Sequence, residues 1–484
     1  MRRHLFCFIA LLAFAHIGYC QRPQNLIVIQ TDEHNFRTLG CYRQQLPDAQ
    51  AYIWGKDAVV ETPAIDSIAA RGAICTSFYA TSPVCTPSRA SLFTGMYPQN
   101  TGSPANDLPL KNEMITFAQV LAEAGYATGY AGKWHLDGPG KPQWAPNRKF
   151  GFNDNRYMFN RGHWKMFEIT DSGPKVAARK NGKPNYGIDG ANEQNFSTDW
   201  LTSRAIDFIK KNRGQPFCYH LSLPDPHGPN TVRAPYDSMY TNMAIRPPQT
   251  YAMAKQNPKW APATGRNAAK FRADMMSQYF GMVKCIDDNI QRILDTLIDL
   301  NLQETTAIVI TADHGDLCYE HGRLNKGNPY EASAMIPMIM VVPGEINEGT
   351  VVNEALGTVD FTPTILPLLG QNAPEACEGR DFGKLLRGDS EDWKDVTILR
   401  NAGVKAAWMA AVTDRYKLVI SLADEPWLFD TKVDPDELQN RYGASDTDEI
   451  TRFLATELLS YGKEHNDPFL STPTLNKQIR SILQ

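Results

Sequence analysis

The sequence has little cysteine and little net charge, and each scarcity excludes a class of protein. Nine cysteines in 484 residues are too few for a fold built on disulfides, so each cysteine must be interpreted individually. The 49 basic and 53 acidic residues give a formal net charge of −4, which provides no broad positive field for holding nucleic acid. Nucleic acid is therefore not an expected partner.

The sequence also lacks a hydrophobic run long enough to cross a bilayer, which takes about 20 apolar residues. The apolar run at residues 5–15 follows two arginines and precedes small or polar residues near 18–21. This order is typical of a secretory signal peptide, here residues 1–20. We therefore expect export to the periplasm or the exterior and no transmembrane segment, with lipid attachment at Cys20 as a minor alternative.

Cleavage of that signal would remove Cys7 and Cys20, and nine cysteines would become seven. Because seven is odd, at least one cysteine stays unpaired in an oxidising compartment, either buried and inert or chemically special. Composition alone leaves that choice open among Cys41, Cys75, Cys85, Cys218, Cys285, Cys318 and Cys377.

Two continuous apolar runs, at residues 25–30 and 306–311, are rich in β-branched side chains. Such runs are typical of strands that are covered on both faces. Helix-like segments separate them, at about 115–124, 200–211 and 271–300. The pattern predicts an α/β fold with a large, mixed, mostly parallel sheet flanked by helices. Ligands bind at the carboxyl edge of such sheets, where acidic residues follow both runs.

The chain also divides into a main domain and a smaller C-terminal one. Residues 371–374 form a plausible linker, which predicts domains at 22–372 and 373–484. The second contains four short strand-like runs and a helix at about 446–461, which indicates an antiparallel sheet with a helix. Within the first, residues 141–195 form a long excursion of the kind that often shapes a substrate pocket.

The segment around Cys85 has the features of a helix start. Pro87 and Ser88 favour the first turn, so Cys85 would lie at a helix N-terminus, where the dipole favours an anion. An activated thiol and a buried structural cysteine are both compatible with this position.

The run Cys85-Thr86-Pro87-Ser88-Arg89, followed by Ser-Leu-Phe-Thr-Gly, resembles the first signature of type I sulfatases, which are enzymes of the alkaline-phosphatase superfamily. Residues 125–135 resemble the second signature, and the resemblance covers nearly the whole mature chain. Further matching segments are 224–227, 313–316, 327–337 after Lys326, and 427–430 with 434–435. The resemblance implies an alkaline-phosphatase-like fold and hydrolysis of sulfuric esters.

In that family the cysteine is converted to formylglycine (3-oxoalanine), whose hydrated gem-diol is the nucleophile. The resemblance therefore implies this modification at Cys85 and a partner that performs it, either a formylglycine-generating or an anaerobic sulfatase-maturating enzyme. It also implies bound Ca²⁺, with Mg²⁺ as the second candidate. The implied ligands are Asp32, Glu33, modified Cys85, Asp313 and His314. Many relatives have Asp or Gln in place of Glu33, and Asn in place of His314.

The remaining roles follow from the same resemblance. Arg89 and Lys133 would stabilise the diol and its oxyanion, and His135 would take a proton from the second hydroxyl. His227 and Lys326 would bind sulfate oxygens and protonate the leaving alcohol. Apart from the resemblance, His321, Arg323 and Asn325 lie just before Lys326 and are candidate substrate contacts. The segment with His163 and Trp164 is a candidate aromatic sugar platform. Each of these residues has a packed loop residue as its alternative.

Export and the aromatic, basic excursion favour a sulfated carbohydrate substrate, such as a glycosaminoglycan, mucin glycan or sulfated galactan. One alternative is a phosphonate or phosphate ester hydrolase of the same superfamily. Another is a glycan-binding homologue without catalysis, which requires that Cys85 remain a thiol.

Overall fold

The computed structural model describes residues 23–484, so the predicted signal peptide with Cys7 and Cys20 lies outside the described residues. In chain order the strands are β1 (Asn25–Asp32), β2 (Ala73–Cys75), β3 (Phe78–Tyr79), β4 (Ala127–Lys133), β5 (Asp154–Phe159), β6 (Phe167–Thr170), β7 (Gly173–Val176), β8 (Arg179–Lys180), β9 (Lys183–Pro184), β10 (Phe217–Pro226), β11 (Thr306–Ala312), β12 (Met338–Val341), β13 (Thr350–Val352), β14 (Leu356–Gly357), β15 (Thr397–Arg400), β16 (Trp408–Val412), β17 (Tyr416–Ser421) and β18 (Trp427–Asp430).

The α-helices of the same region range from single turns to 27 residues. They are α1 (Gly40–Arg43), α2 (Asp48–Ala51), α3 (Pro63–Arg71), α4 (Cys85–Thr94), α5 (Pro98–Thr101), α6 (Phe117–Glu123), α7 (Ser197–Asn212), α8 (Tyr236–Met239), α9 (Gln249–Ala252), α10 (Ala273–Asp299), α11 (Glu331–Ala334), α12 (Phe361–Leu368), α13 (Asp448–Glu464) and α14 (Pro473–Leu483).

Eight strands form the central sheet, in the order β13-β2-β12-β11-β1-β10-β4-β5. β1 lies in the interior and pairs in parallel with both β10 and β11. β12 runs antiparallel to β11 and β2, so the sheet is mixed and mostly parallel, as predicted. Every residue of β1 is buried, because helices cover both faces of the sheet.

Alternate residues of β1 enter two separate cores. Ile27 and Ile29 belong to the core beneath α7 and α10. Leu26 and Val28 belong to the opposite core, which contains apolar residues of α4, α6 and α12. The strand period of two therefore divides one apolar run between the two faces, and this burial holds the carboxyl end of β1 in place.

The C-terminal region contains the predicted antiparallel sheet, in the order β15-β16-β17-β18. One face packs α13 and α14. The other face contributes Val419 and Phe429 to the same core as α7 and α10, so the two regions share buried apolar surface. The domain limits at 372 and 373 stay a prediction.

Further expectations can be compared with the described residues. The predicted helices correspond to α6, α7, α10 and α13. The excursion at 141–195 contains β5 and two hairpins, β6–β7 and β8–β9. Among residues 23–484 no helix has the length and apolar character needed to span a membrane. All seven cysteines of this region are free thiols.

Candidate active site

The site lies where the carboxyl ends of three central strands meet the start of α4. Asp32 ends β1 and Lys133 ends β4, while Asp313 directly follows β11. Cys85 is the first residue of α4. The backbone N–H of Asp313 donates to the carbonyl of Thr31 at 3.1 Å, so the two acidic strand ends are joined directly. Residues far apart in sequence thus meet at the edge where α/β sheets bind ligands.

Asp32, Cys85, Asp313 and His314 form a buried group of possible metal ligands. One ligand atom from each lies within 4.8 Å of the others. Cys85 Sγ is 3.2 Å from His314 Nε2 and 3.9 Å from Asp32 Oδ1. Two carboxylates supply the hard oxygens that Ca²⁺ and Mg²⁺ prefer. The donor set therefore fits a divalent cation, provided that residue 85 also contributes oxygen, as the implied modification would allow.

The thiol of Cys85 differs from those of the other described cysteines. Burial alone would raise its pKa, but Lys133, Lys326 and His314 lower that pKa well below the ordinary value. Burial raises the pKa of every other cysteine in residues 23–484, namely Cys41, Cys75, Cys218, Cys285, Cys318 and Cys377. Position 85 is therefore the one among them whose surroundings favour an anion.

Arg89 lies one helical turn beyond Cys85 and is completely buried. Its Nε donates to Asp313 Oδ2 at 2.9 Å, and its Nη1 donates to the Lys133 carbonyl at 2.8 Å. Burial lowers its pKa, but Asp313 and Asp32 outweigh burial and raise it above the ordinary value. In this structure Arg89 holds the acidic strand ends in place. The predicted role in stabilising a diol stays a prediction.

Lys133 is also completely buried and forms an ion pair with Asp32. Burial would raise the pKa of Asp32, but the Lys133 ammonium dominates and holds that pKa below its ordinary range. The ammonium lies 2.9 Å from His163 Nε2. Lys133 therefore connects the metal-ligand group to a histidine of the excursion at 141–195.

His135 follows β4 and makes few contacts for a buried histidine. Its Nε2 lies 3.4 Å from Asp107 Oδ1, and its Nδ1 has no hydrogen-bond partner among the described residues. The ring is within hydrogen-bonding reach of the Cys85 thiol. Its backbone has φ of 61°, a strained value for a non-glycine residue of the kind that concentrates at functional sites.

His227, Lys326 and Glu33 form a second group beside the thiol. Lys326 Nζ lies 2.8 Å from His227 Nε2 and 3.0 Å from Glu33 Oε1. His227 Nε2 lies 3.0 Å from Glu33 Oε2. Burial raises the pKa of Glu33 to about 8, although Lys326 offsets part of this. Glu33 is thus paired with His227 and Lys326, the two predicted proton donors to the leaving alcohol. It lies outside the four-residue metal group, although the resemblance implied that it is a metal ligand.

The candidate substrate residues are found in different surroundings. His163 is at the site, and Asn325 lines a pocket of about 470 Å³ that opens beside Glu33 and Gly228. Trp164 is 4% exposed and packs against Tyr186. The structure therefore favours the packed loop residue at Trp164 over the aromatic sugar platform.

Two further candidates are turned away from the thiol. His321 is 2% exposed and its ring stacks on Tyr330 at 3.6 Å. Arg323 donates to the backbone carbonyl of Pro262. The structure therefore gives both side chains partners away from the thiol, and the backbone of His321 is in the left-handed region, with φ of 53°.

Several residues that support the site carry no signature and were missed from the sequence. The Asp107 carboxylate lies 3.4 Å from His135 Nε2 and 3.0 Å from the Arg161 guanidinium. Tyr279, near the start of α10, donates its hydroxyl to the carbonyl of Glu33 at 2.8 Å. Lys165 is paired with Asp225 in the interior. No local pattern in the sequence marks these roles, because the partners lie in distant segments.

Comparison with known proteins decides the family. Residues 24–371 match the family model described as sulfatase. The chain belongs to the sulfatase family. It is therefore a sulfuric ester hydrolase of the alkaline phosphatase superfamily. Residues 319–464 also match a model described as the C-terminal part of N-sulphoglucosamine sulphohydrolase.

Individual relatives of this sulfatase span nearly its full length. An ulvan-active sulfatase of Formosa agariphila is 26% identical, with 92% of this chain and 82% of the relative covered. An N-acetylglucosamine-6-O-sulfatase of Bacteroides thetaiotaomicron is 24% identical over 98% and 94% of the two chains. A solved structure in complex with D-glucosamine-2-N,6-O-disulfate has a TM-score of 0.72 at 22% identity, covering 94% and 100%, which supports the fold.

Proposed function

We propose that this sulfatase removes sulfate from a sulfated saccharide, using formylglycine made from Cys85 and a bound Ca²⁺. The carbohydrate class is supported by the similarity to sulfatases named for ulvan and for N-acetylglucosamine. Export through the signal predicted at residues 1–20 to the periplasm or the exterior would bring the enzyme to such substrates. Maturation then requires a formylglycine-generating or anaerobic sulfatase-maturating enzyme.

The metal would be held by Asp32, Asp313, His314 and modified Cys85. When bound, the cation would neutralise charge on the sulfate, and the hydrated formylglycine would supply the attacking oxygen. Arg89 keeps the ligand carboxylates in place through its bond to Asp313. Because this guanidinium is completely buried and hydrogen-bonded, moving it away would cost free energy. Arg89 therefore preorganises the site.

The protein's own donors then complete the reaction. Lys133 lies beside Asp32 and would stabilise negative charge that develops next to residue 85. The His135 ring lies within hydrogen-bonding reach of residue 85 and would accept the proton that is released when sulfate leaves. Lys326 and His227 are 2.8 Å apart and would donate a proton to the departing sugar oxygen. These roles place proton acceptance and proton donation on separate elements.

The observation that carries this proposal is the convergence on Cys85. A thiol whose pKa is lowered by two lysines and a histidine lies within 4.8 Å of the ligand atoms of Asp32, Asp313 and His314. A buried structural cysteine has no need of such surroundings, and the six other cysteines that the structure describes lack them.

The test has two parts, on enzyme from a host that contains the maturation system. Mass spectrometry of the Cys85 peptide is expected to show an aldehyde in place of the thiol. A panel of sulfated saccharides, assayed beside phosphonate and phosphate esters, is expected to show turnover on the sulfate esters. If turnover of the phosphonate or phosphate esters dominates, the proposed sulfate ester substrate is wrong and the phosphoester alternative takes its place. An unmodified thiol with glycan binding and no turnover would indicate a non-catalytic homologue.

A further inference from the structure

The polar groups of the site fall into two sets that differ in exposure. The side chains of Asp32, Arg89, Lys133, Asp313 and His314 are all 0% exposed. In contrast, the side chain of His163 is 21% exposed, and those of His227 and Lys326 are 15% exposed. A substrate that approaches the thiol therefore meets these three partly exposed side chains. The sulfatase resemblance assigns a role to only two of them, His227 and Lys326.

The third, His163, reaches into the centre of the site. Its Nε2 lies 2.9 Å from Lys133 Nζ and 3.7 Å from Asp32 Oδ2, and the ring is within hydrogen-bonding reach of the Cys85 thiol. The ring also stacks on His227 with 3.4 Å between centroids and 8° between planes. The same nitrogen therefore faces Lys133 and Asp32.

Neighbouring residues fix His163 in this position. Trp164 Nε1 donates to the carbonyl of Arg161 at 3.0 Å, and the indole packs against Tyr186. Lys165 Nζ forms an ion pair with Asp225 and also donates to the carbonyl of His227 at 3.1 Å. One lysine thus connects the segments that bear both histidines. The segment at 161–165 buries its last two side chains and leaves His163 open to the site.

We propose that His163 binds a nonbridging oxygen of the substrate's sulfate group through Nε2, together with Lys133. This inference rests on the proposed function and moves His163 from the sugar, where the sequence placed it, to the sulfate. The stacked His163–His227 pair forms one wall of the sulfate site. An oxyanion beside Lys133 would replace the contact between the ammonium and the imidazole. The ammonium would then donate to sulfate, and His163 would donate through Nε2 as its Nε2–H tautomer, with Nδ1 unprotonated.

The test compares sulfate binding in the matured parent with that in His163→Ala and His163→Gln. The probe is inorganic sulfate, measured as a competitive product inhibitor and by calorimetry. We expect sulfate to bind the alanine variant on the order of tenfold more weakly, because a hydrogen bond to a charged group is lost. The glutamine variant, which retains an N–H donor, should recover part of this affinity. Turnover of the preferred sulfate ester should fall in the same order.

His465→Ala serves as the matched control, because His465 lies at the end of α13 against Tyr97. It should bind sulfate as the parent does. Unchanged sulfate affinity in both His163 variants, with the parent active on sulfate esters, would overturn the inference and leave the proposed function intact. Absence of parent turnover on every sulfate ester would overturn the proposed function itself. Thermal unfolding checks that the variants are folded. If the alanine variant is unfolded, sulfate binding by the glutamine variant decides the question.

Discussion

Two of the buried lysine–carboxylate clusters among the described residues differ in how completely their polar atoms are satisfied. In the first, at the active site, Lys133 pairs with Asp32. In the second, Lys417 of β17 contacts Glu331 and Glu437, and its Nζ donates to the carbonyl of Pro329 at 2.7 Å. Both lysines are 0% exposed. We call the second group the Lys417 cluster; it joins the C-terminal sheet to the main domain.

The active-site cluster leaves polar atoms without partners. Arg89 Nη2 and His135 Nδ1 have no hydrogen bond among the described residues, and several cations surround one thiol. In the Lys417 cluster the lysine has three acceptors, and Glu331 receives the hydroxyl of Tyr79 at 3.2 Å. Buried polar atoms without partners cost stability. The difference indicates that the first cluster is organised around groups that arrive later, whereas the second is complete and serves the fold.

The largest expected effect comes from Cys85→Ala. Loss of the nucleophile should lower kcat by at least ~10⁴-fold, while the free energy of unfolding changes by no more than about 1 kcal/mol. Steady-state kinetics and denaturant titration measure the two quantities. Cys75→Ala, in β2, is the matched control and should keep its activity. Substantial activity in Cys85→Ala would contradict the assignment of the nucleophile.

Lys417→Met should have the reverse effect. It leaves the buried Glu437 and the partly buried Glu331 without their cation, which costs roughly 3–5 kcal/mol of unfolding free energy. The folded fraction should retain the parent's kcat, because Lys417 has no contact with the thiol or its ligands among its described bonds. A large fall in kcat with unchanged stability would show that this cluster belongs to the catalytic machinery.

Removal of the divalent cation should have a smaller effect on stability. At a calcium concentration about 100-fold above the dissociation constant, binding adds about 2.7 kcal/mol to the unfolding free energy. Dialysis against a chelator should therefore lower the melting temperature and abolish turnover, and added Ca²⁺ should restore both. Asp313→Asn should respond weakly to either treatment. A parent enzyme that is indifferent to chelation and to calcium would remove the metal from the proposal.

The smallest effect is expected for Lys432→Met. Lys432 is 58% exposed and pairs with Asp414 at the surface, where an ion pair contributes about 0–1 kcal/mol. Denaturant titration beside Lys417→Met isolates the effect of burial, since both changes replace a paired lysine of the same region. Equal losses of unfolding free energy in the two variants would contradict a larger stabilising role for the buried Lys417 cluster.

Local patterns in the sequence predicted a large part of the fold. The apolar runs that became β1 and β11 and the helical spacing of α10 reflect burial of residues close together in the chain, which periodicity reports directly. The helix α14 was missed, although Thr472-Pro473 has the form of a helix start. Its apolar residues Leu475 and Ile479 are explained only by the face of the C-terminal sheet that they cover.

For the site, the sequence by itself predicted which residues would carry the chemistry, because the motifs at Cys85, Asp32 and Asp313 are short strings at strand ends and a helix start. Tertiary structure alone decided how they are partnered. It paired Glu33 with Lys326, turned His321 inward despite its closeness to Lys326, and stacked His163 on His227 from a distant segment. Contacts between distant segments depend on packing in three dimensions, which a local pattern of residues does not encode.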